Sequence, residues 1–254
     1  MFGKAAGFLY GVLSYLLFFG ASLYAMGFFS NELVPKSIDN GVPSRPAASI
    51  LIDMLLLGAF ALQHSVMARP AFKRMWTKVV PPSCERSTYV LASSLLLLLL
   101  FWQWRPIATP IWQAEGVPAT VLISIYWIGW LTVLASTFQI DHFDLFGLRQ
   151  VFAALRGATS PAPVFRTPWL YRIVRHPLML GFLLVFWATP QMSAGHLLFA
   201  VLTTAYILVG VWLEERDLVA AFGGAYEDYR ARVPMLLPRL VAGPRRSLAQ
   251  NRHS

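Results

Sequence analysis

The chain alternates between long apolar runs and short polar interruptions, and the runs have the length of membrane-crossing helices. A hydrocarbon core of about 30 Å needs roughly 20 apolar helical residues. Runs of that kind occupy 5–29, 47–67, 88–104 and 118–140. Two more, 177–192 and 195–213, are separated only by Ser193-Ala194, with Pro190 interrupting the first, and read as a hairpin. Open strands would leave backbone groups unpaired in lipid, so each run is expected to be helical. The fifth run is short, which suits a tilted or partly inserted segment. The expected class is an all-α integral membrane protein of five to six transmembrane helices, closed by a C-terminal helical hairpin.

Composition supports this. Hydrophobic residues fill 57% of the 254 positions and charged residues 13%, against about 25% charged in soluble domains. A soluble protein of this kind would expose large apolar patches. The first run exceeds the roughly 7–15 residue apolar core of a signal peptide and lacks a small-residue cleavage site after it, so it is expected to be retained. Cys84 is the single cysteine, which excludes an internal disulfide.

Basic residues cluster in alternate connections. The segment 68–87 carries Arg69, Lys73, Arg74, Lys78 and Arg86, and 141–176 carries Arg149, Arg156, Arg166, Arg172 and Arg175. The tail adds Arg216, Arg230, Arg232, Arg239, Arg245, Arg246 and Arg252, while 30–46 and 105–117 are poor in Lys and Arg. Cytoplasmic loops carry the excess of such residues. Six crossings with both termini in the cytoplasm of a bacterial inner membrane satisfy every loop, and the lipid bilayer is the expected partner. The net charge of +9 also raises nucleic acid as a partner, but no nucleic-acid motif accompanies it and none is expected. The expected organisation is a four-helix transmembrane region over 1–140 and a loop, hairpin and C-terminal segment over 141–240 that form the site. A basic, disordered tail follows over 241–254. Prolines at 161, 163 and 168 make 158–168 an irregular loop.

Chemistry concentrates around the hairpin. Arg175 and His176 stand before Pro177, which fits the first turn of a helix because its missing N–H is not needed there. A helix start flanked by Arg and His suits a carboxylate or phosphate. Glu214 and Glu215 close the sixth run on the same side, and the hairpin forces the two pairs together. Acids and bases at one mouth can grip a zwitterion, Arg on its carboxylate and Glu on an ammonium or on ribose hydroxyls. The competing reading is a set of membrane-flanking charges that reach for headgroups.

These residues carry a resemblance. Arg175-His176-Pro177-Leu178-Met179-Leu180-Gly181, then Glu214-Glu215-x-x-Leu218, a glycine at 223 or 224, Tyr226, Tyr229 and Val233-Pro234 resemble the isoprenylcysteine carboxyl methyltransferase superfamily. Met179 stands where that family has Tyr. The resemblance implies that Arg175, His176, Pro177, Gly181, Glu214, Glu215, Tyr226 and Tyr229 bind S-adenosylmethionine at the cytoplasmic face. Asp141-His142-Phe143-Asp144-Leu145-Phe146-Gly147-Leu148-Arg149-Gln150, with Phe186-Trp187-Ala188-Thr189-Pro190, is similar to bacterial methanethiol S-methyltransferases. That similarity implies a small thiol as acceptor, with dimethyl sulfide and S-adenosylhomocysteine as products.

An alkyl thiol is mostly protonated at neutral pH while its thiolate is the nucleophile, so a base near the sulfur would help. His142 and His64 are the candidates, with Asp141 and Asp144 expected to orient His142. Each histidine also has a structural reading, as a packing group or as a loop pair with Asp144. Asp53, inside the second run, is expected to make a structural hydrogen bond, because an ionised carboxylate there is costly. No metal is expected. Two other readings stay open: methyl transfer to a prenylcysteine carboxylate or phospholipid amine, and a non-methylating, reductase-like membrane protein.

Overall fold

In lipid, each apolar run satisfies its backbone only by coiling on itself, and the helices follow the runs closely. A computed structural model of the protein describes residues 2–42, 44–158 and 166–238. Its long helices are α1 (Phe2–Ser30), α2 (Pro46–Ala68), α4 (Glu85–Gln103), α5 (Gly116–Ile140) and α9 (Ala194–Phe222), with the short α3 (Pro70–Trp76) after α2. Between α5 and α9 come α6 (His142–Leu145), α7 (Leu148–Arg156) and α8 (Pro177–Trp187), and α10 (Gly224–Arg232) follows α9. The five long helices are apolar and long enough to cross a membrane. Large apolar side chains such as Leu55, Leu62 and Leu131 are exposed on their outer faces, as a lipid solvent requires and water would not tolerate. The protein is an integral membrane protein. The expected tail over 241–254 and most of the loop 158–168 lie outside the described residues.

The helices contact one another in a ring, in the order α1, α4, α2, α9, α8, α5, and α6 and α7 lead from α5 back to α1. At one end of the ring lies the aromatic core: Phe28, Phe29, Phe101, Trp104, Tyr126, Phe186 and Phe199. The Tyr126 hydroxyl donates to the Met26 carbonyl at 2.5 Å and so joins α5 to α1 there. The opposite end carries the basic connections and the charged ends of the hairpin.

The fifth run differs from expectation. The helix α8 stops at Trp187 rather than reaching 192. Beyond it Gln191–Ser193 (β2) pairs antiparallel with Pro110–Gln113 (β1), and the Ala114 amide donates to the Pro190 carbonyl at 2.8 Å. Pro190 has no N–H to continue a helix, and the strand partner satisfies the backbone instead. Ser193 then caps α9 by accepting from the His196 amide, and His196, fully buried, is hydrogen-bonded to the Phe186 carbonyl at 3.0 Å. The helix of the sixth run continues past 213 to Phe222.

Helices α5 and α8 meet at glycine. A Cβ added to Gly181 would lie 2.8 Å from the Gly129 carbonyl oxygen and 2.9 Å from the Val133 amide nitrogen. Small residues let membrane helices approach this closely. Gly181 is therefore a packing residue whose open face meets α5. Gly181→Ala is expected to destabilise the protein by about 1–3 kcal/mol, the usual cost of forcing atoms into a filled interface. Thermal unfolding in detergent checks it. Gly58→Ala, whose Cβ meets nothing within 4 Å, should leave the midpoint unchanged or slightly raised.

Candidate active site

At the basic end, α8 and α9 bring the two charged pairs together. The Arg175 Nε donates to Glu215 Oε1 at 2.7 Å, and His176 Nε2 lies 3.1 Å from the same oxygen. His176 Nδ1 lies 3.5 Å from Glu214 Oε2. Arg175 and Glu215 side chains are 10% and 12% exposed, whereas Glu214 is 51% exposed. Successive residues turn by about 100° around a helix, so one acid faces α8 and the other the open mouth. Arg175 has further duties: its Nη1 donates to the carbonyls of Arg230 at 3.0 Å and Val233 at 2.6 Å.

The segment after α10 is thereby strapped across the start of α8. The amides of Arg175 and His176 donate to the carbonyls of Pro234 (2.8 Å) and Met235 (3.2 Å). Those amides are therefore not free for an anion, and only the first amides within α8 lack an intrahelical acceptor. Pro177 opens α8 as the first turn requires. Tyr226 and Tyr229 are buried, and the Tyr229 hydroxyl donates to the Tyr171 carbonyl at 2.5 Å. Burial pushes the Tyr229 phenol up to about 12 against the opposing pull of the Arg175 guanidinium. Tyr229 thus ties α10 to the segment before α8. Of the eight expected cofactor residues, Glu214 is the acid most open to a ligand, and Arg175, His176 and Glu215 form the framework beside it.

His142 lies in a different part of the ring, at the α5–α6 junction. Its ring is stacked on Phe138, 4.3 Å away and 6° from parallel, with Phe146 and Tyr15 approaching edge-on. Its Nε2 is 2.8 Å from the Tyr15 hydroxyl of α1, and its Nδ1 is 2.9 Å from Thr137 Oγ1. Burial lowers its pKa below the ordinary histidine value, so the ring is neutral at pH 7. The expected orientation by carboxylates is not found. Asp141 accepts from the Asp144 amide at 3.1 Å and pairs with Arg149 at 2.6 Å, and Asp144 Oδ1 accepts from Gln150 at 3.2 Å. Asp141 is the residue that starts α6, and capping claims the very oxygens that would have reached the imidazole.

His64 is held in the same manner between α2 and α4. Its Nε2 is 2.8 Å from the Tyr89 hydroxyl and its Nδ1 is 3.2 Å from Ser93 Oγ. Nearby, Ser65 meets the Tyr206 hydroxyl of α9 at 3.2 Å, and Arg69 pairs with Asp217 at 3.0 Å. Gln63 accepts from Ser93, and Gln139 accepts from the Leu170 amide. Asp53, at the ribbon end, accepts from the Arg105 amide at 2.9 Å and anchors the chain leaving α4, a structural bond as expected. Sequence reasoning missed Tyr15, Thr137, Tyr89 and Ser93. A hydroxyl residue inside an apolar run is the one signal they offer.

The model of the family described as NnrU protein matches residues 51–232. Methanethiol S-methyltransferase 2 of Bradyrhizobium diazoefficiens is 63% identical over 95% of this chain and 93% of its own length. Methanethiol S-methyltransferase of Mycobacterium tuberculosis is 53% identical over 91% and 95%. Nurim of Mus musculus is 30% identical over 67% and 68%. No solved structure matches the chain.

Proposed function

The chain belongs to the NnrU protein family, and from that premise we propose that it is a membrane S-methyltransferase that converts methanethiol to dimethyl sulfide. The observation that carries this reading is the identity of 50–63% over nearly the whole chain to proteins named methanethiol S-methyltransferase. The charged mouth of the hairpin and the buried neutral histidine beside a hydroxyl provide the two chemical ends such a reaction needs.

The proposed donor is S-adenosylmethionine, which supplies a methyl carbon activated by a sulfonium. Glu214 would accept hydrogen bonds from its ammonium or ribose hydroxyls, while Arg175 sits beside that acid with Nη2 outside the three bonds described. The buried Arg175–Glu215–His176 group keeps the mouth in shape. Transfer is an in-line displacement that depends on alignment and exclusion of water. The aromatic walls around His142, from Phe138, Phe143 and Phe146, suit a very small apolar acceptor. His142 or His64 takes the thiol proton. The basic end, with both termini, faces the cytoplasm of the bacterial inner membrane, as the placement of Lys and Arg argues.

Purified protein in detergent, given S-adenosylmethionine and methanethiol, should release dimethyl sulfide into the headspace. Glu214→Ala should keep its thermal midpoint yet bind the donor at least about tenfold more weakly, the loss of a charge-assisted hydrogen bond. Donor binding without dimethyl sulfide would move the acceptor to a lipid. A prenyl or acyl chain would then lie in the apolar groove between α5 and α8 lined by Leu122, Ile125, Leu180, Leu184, Trp187 and Leu236. No donor binding would end the methyltransferase reading.

A further inference from the structure

We propose that Tyr15 is the group that meets the thiol, and that His142 receives the proton through it. The inference rests on the thiol-methylation reading and on the hydrogen-bond geometry around His142. The Thr137 hydroxyl lies 2.8 Å from the Leu134 carbonyl, which can only accept, and 2.9 Å from His142 Nδ1. In the proposed arrangement its one proton goes to the carbonyl, so its oxygen accepts from His142 and the imidazole carries its proton on Nδ1. In a neutral imidazole the other nitrogen is then a bare acceptor, and the Tyr15 hydroxyl, 2.8 Å away, donates to it. His142 itself is 7% exposed and walled by Phe138, Phe143 and Phe146. Its basic nitrogen is covered by the phenol. Tyr15 is only half-buried, and among the described residues no hydrogen bond to its oxygen from another donor is found. Of the pair, Tyr15 is the more exposed residue.

The step balances without any further reagent. The S–H proton passes to the Tyr15 oxygen as the Tyr15 proton passes to His142 Nε2, so the phenol is regenerated and the imidazole becomes cationic. The sulfur lone pair forms the new bond to the methyl carbon, and the sulfonium–carbon bond breaks with its electron pair staying on the donor sulfur. His142 lies outside the long spans, at the helix junction, from which its proton returns to water.

His64 offers an internal comparison. Ser93 donates to Gln63 Oε1 at 3.3 Å, so by the same logic His64 carries its proton on Nδ1 and accepts from Tyr89. Besides its tyrosine, His64 meets one aromatic ring, Phe60, whereas His142 meets three, Phe138, Phe143 and Phe146; the fuller aromatic enclosure suits a methyl-sized thiol, and the proposal commits to His142–Tyr15.

Two measurements test it. In protein without methyl donor, 15N spectra of labelled imidazole should show His142 as the Nδ1–H tautomer, and Thr137→Val should remove that preference; an Nε2–H tautomer in wild type would overturn the relay. Tyr15→Phe keeps the ring and loses the hydroxyl. Its turnover of methanethiol should fall about a hundredfold, within the usual range for general-base catalysis, while turnover of methaneselenol, already ionised at neutral pH, should change less than about twofold. Donor affinity should not move. Equal losses for both acceptors, no loss for either, or the selective loss in Tyr89→Phe instead would each overturn the relay with an active wild type. A wild type that methylates neither acceptor would overturn it together with the reading on which it rests.

Discussion

Glu215→Ala is expected to be the most damaging single substitution at the hairpin, destabilising the protein by about 3–5 kcal/mol, the usual cost of leaving a buried charge without its partner. Glu215 Oε1 receives both Arg175 Nε and His176 Nε2. Removing it strands a guanidinium that is itself 10% exposed and that also holds the carbonyls of Arg230 and Val233. The strap after α10 should loosen with it, so donor binding should be lost as a consequence of structure. Thermal unfolding in detergent separates the cases: Glu215→Ala should melt well below wild type, and Glu215→Gln, which still accepts a hydrogen bond, should fall between them. An unchanged midpoint for Glu215→Ala would mean that the ion pair does not hold α8 to α9. Arg175→Ala should behave like Glu215→Ala.

The contrast between Glu214 and Glu215 shows how far the sequence could be read. That Arg175-His176 and Glu214-Glu215 meet follows from hairpin connectivity alone, because two antiparallel helices with a tight tip must return to the same face. Which acid turns inward depends on the helical phase of α9 relative to α8, which connectivity leaves open and only side-chain packing sets. The spans were legible because lipid imposes both length and helicity. The end of α8 was not, since the strand pairing of Gln191–Ser193 with Pro110–Gln113 joins segments far apart in sequence and satisfies a backbone that hydropathy alone assigns to helix. His142 was legible as the histidine that follows an apolar run. Its partners were not: Asp141 and Asp144 were the near neighbours, but local capping occupies them, and the hydroxyl that meets Nε2 comes from 127 positions away. Only closure of the helix ring brings α1 to that place.

His142→Ala is expected to lower turnover of methanethiol by about 10²–10⁴-fold, the range for a positioned general base, with donor binding and fold retained because its hydrogen bonds go to Tyr15 and Thr137 rather than to the Arg175–Glu215 group. The pH dependence carries more information than the size of the loss. Burial holds the imidazole pKa below its ordinary value. In wild type the catalytically useful neutral form therefore persists on the acid side of that ordinary value, and the rate should stay flat from neutral pH downward until the lowered pKa is reached, then fall as the ring protonates. Without the base, turnover depends on thiolate that solution chemistry has already produced. The His142→Ala rate should then rise about tenfold per pH unit above neutrality, approaching wild type as the thiol ionises. Initial rates of dimethyl sulfide release across pH, at saturating donor, give both profiles. A variant whose profile is flat like wild type but uniformly lower would assign His142 to shaping the aromatic pocket instead of moving the proton. If His142→Ala keeps full activity and His64→Ala acquires the thiolate-dependent slope, the proton path runs through the α2–α4 pair.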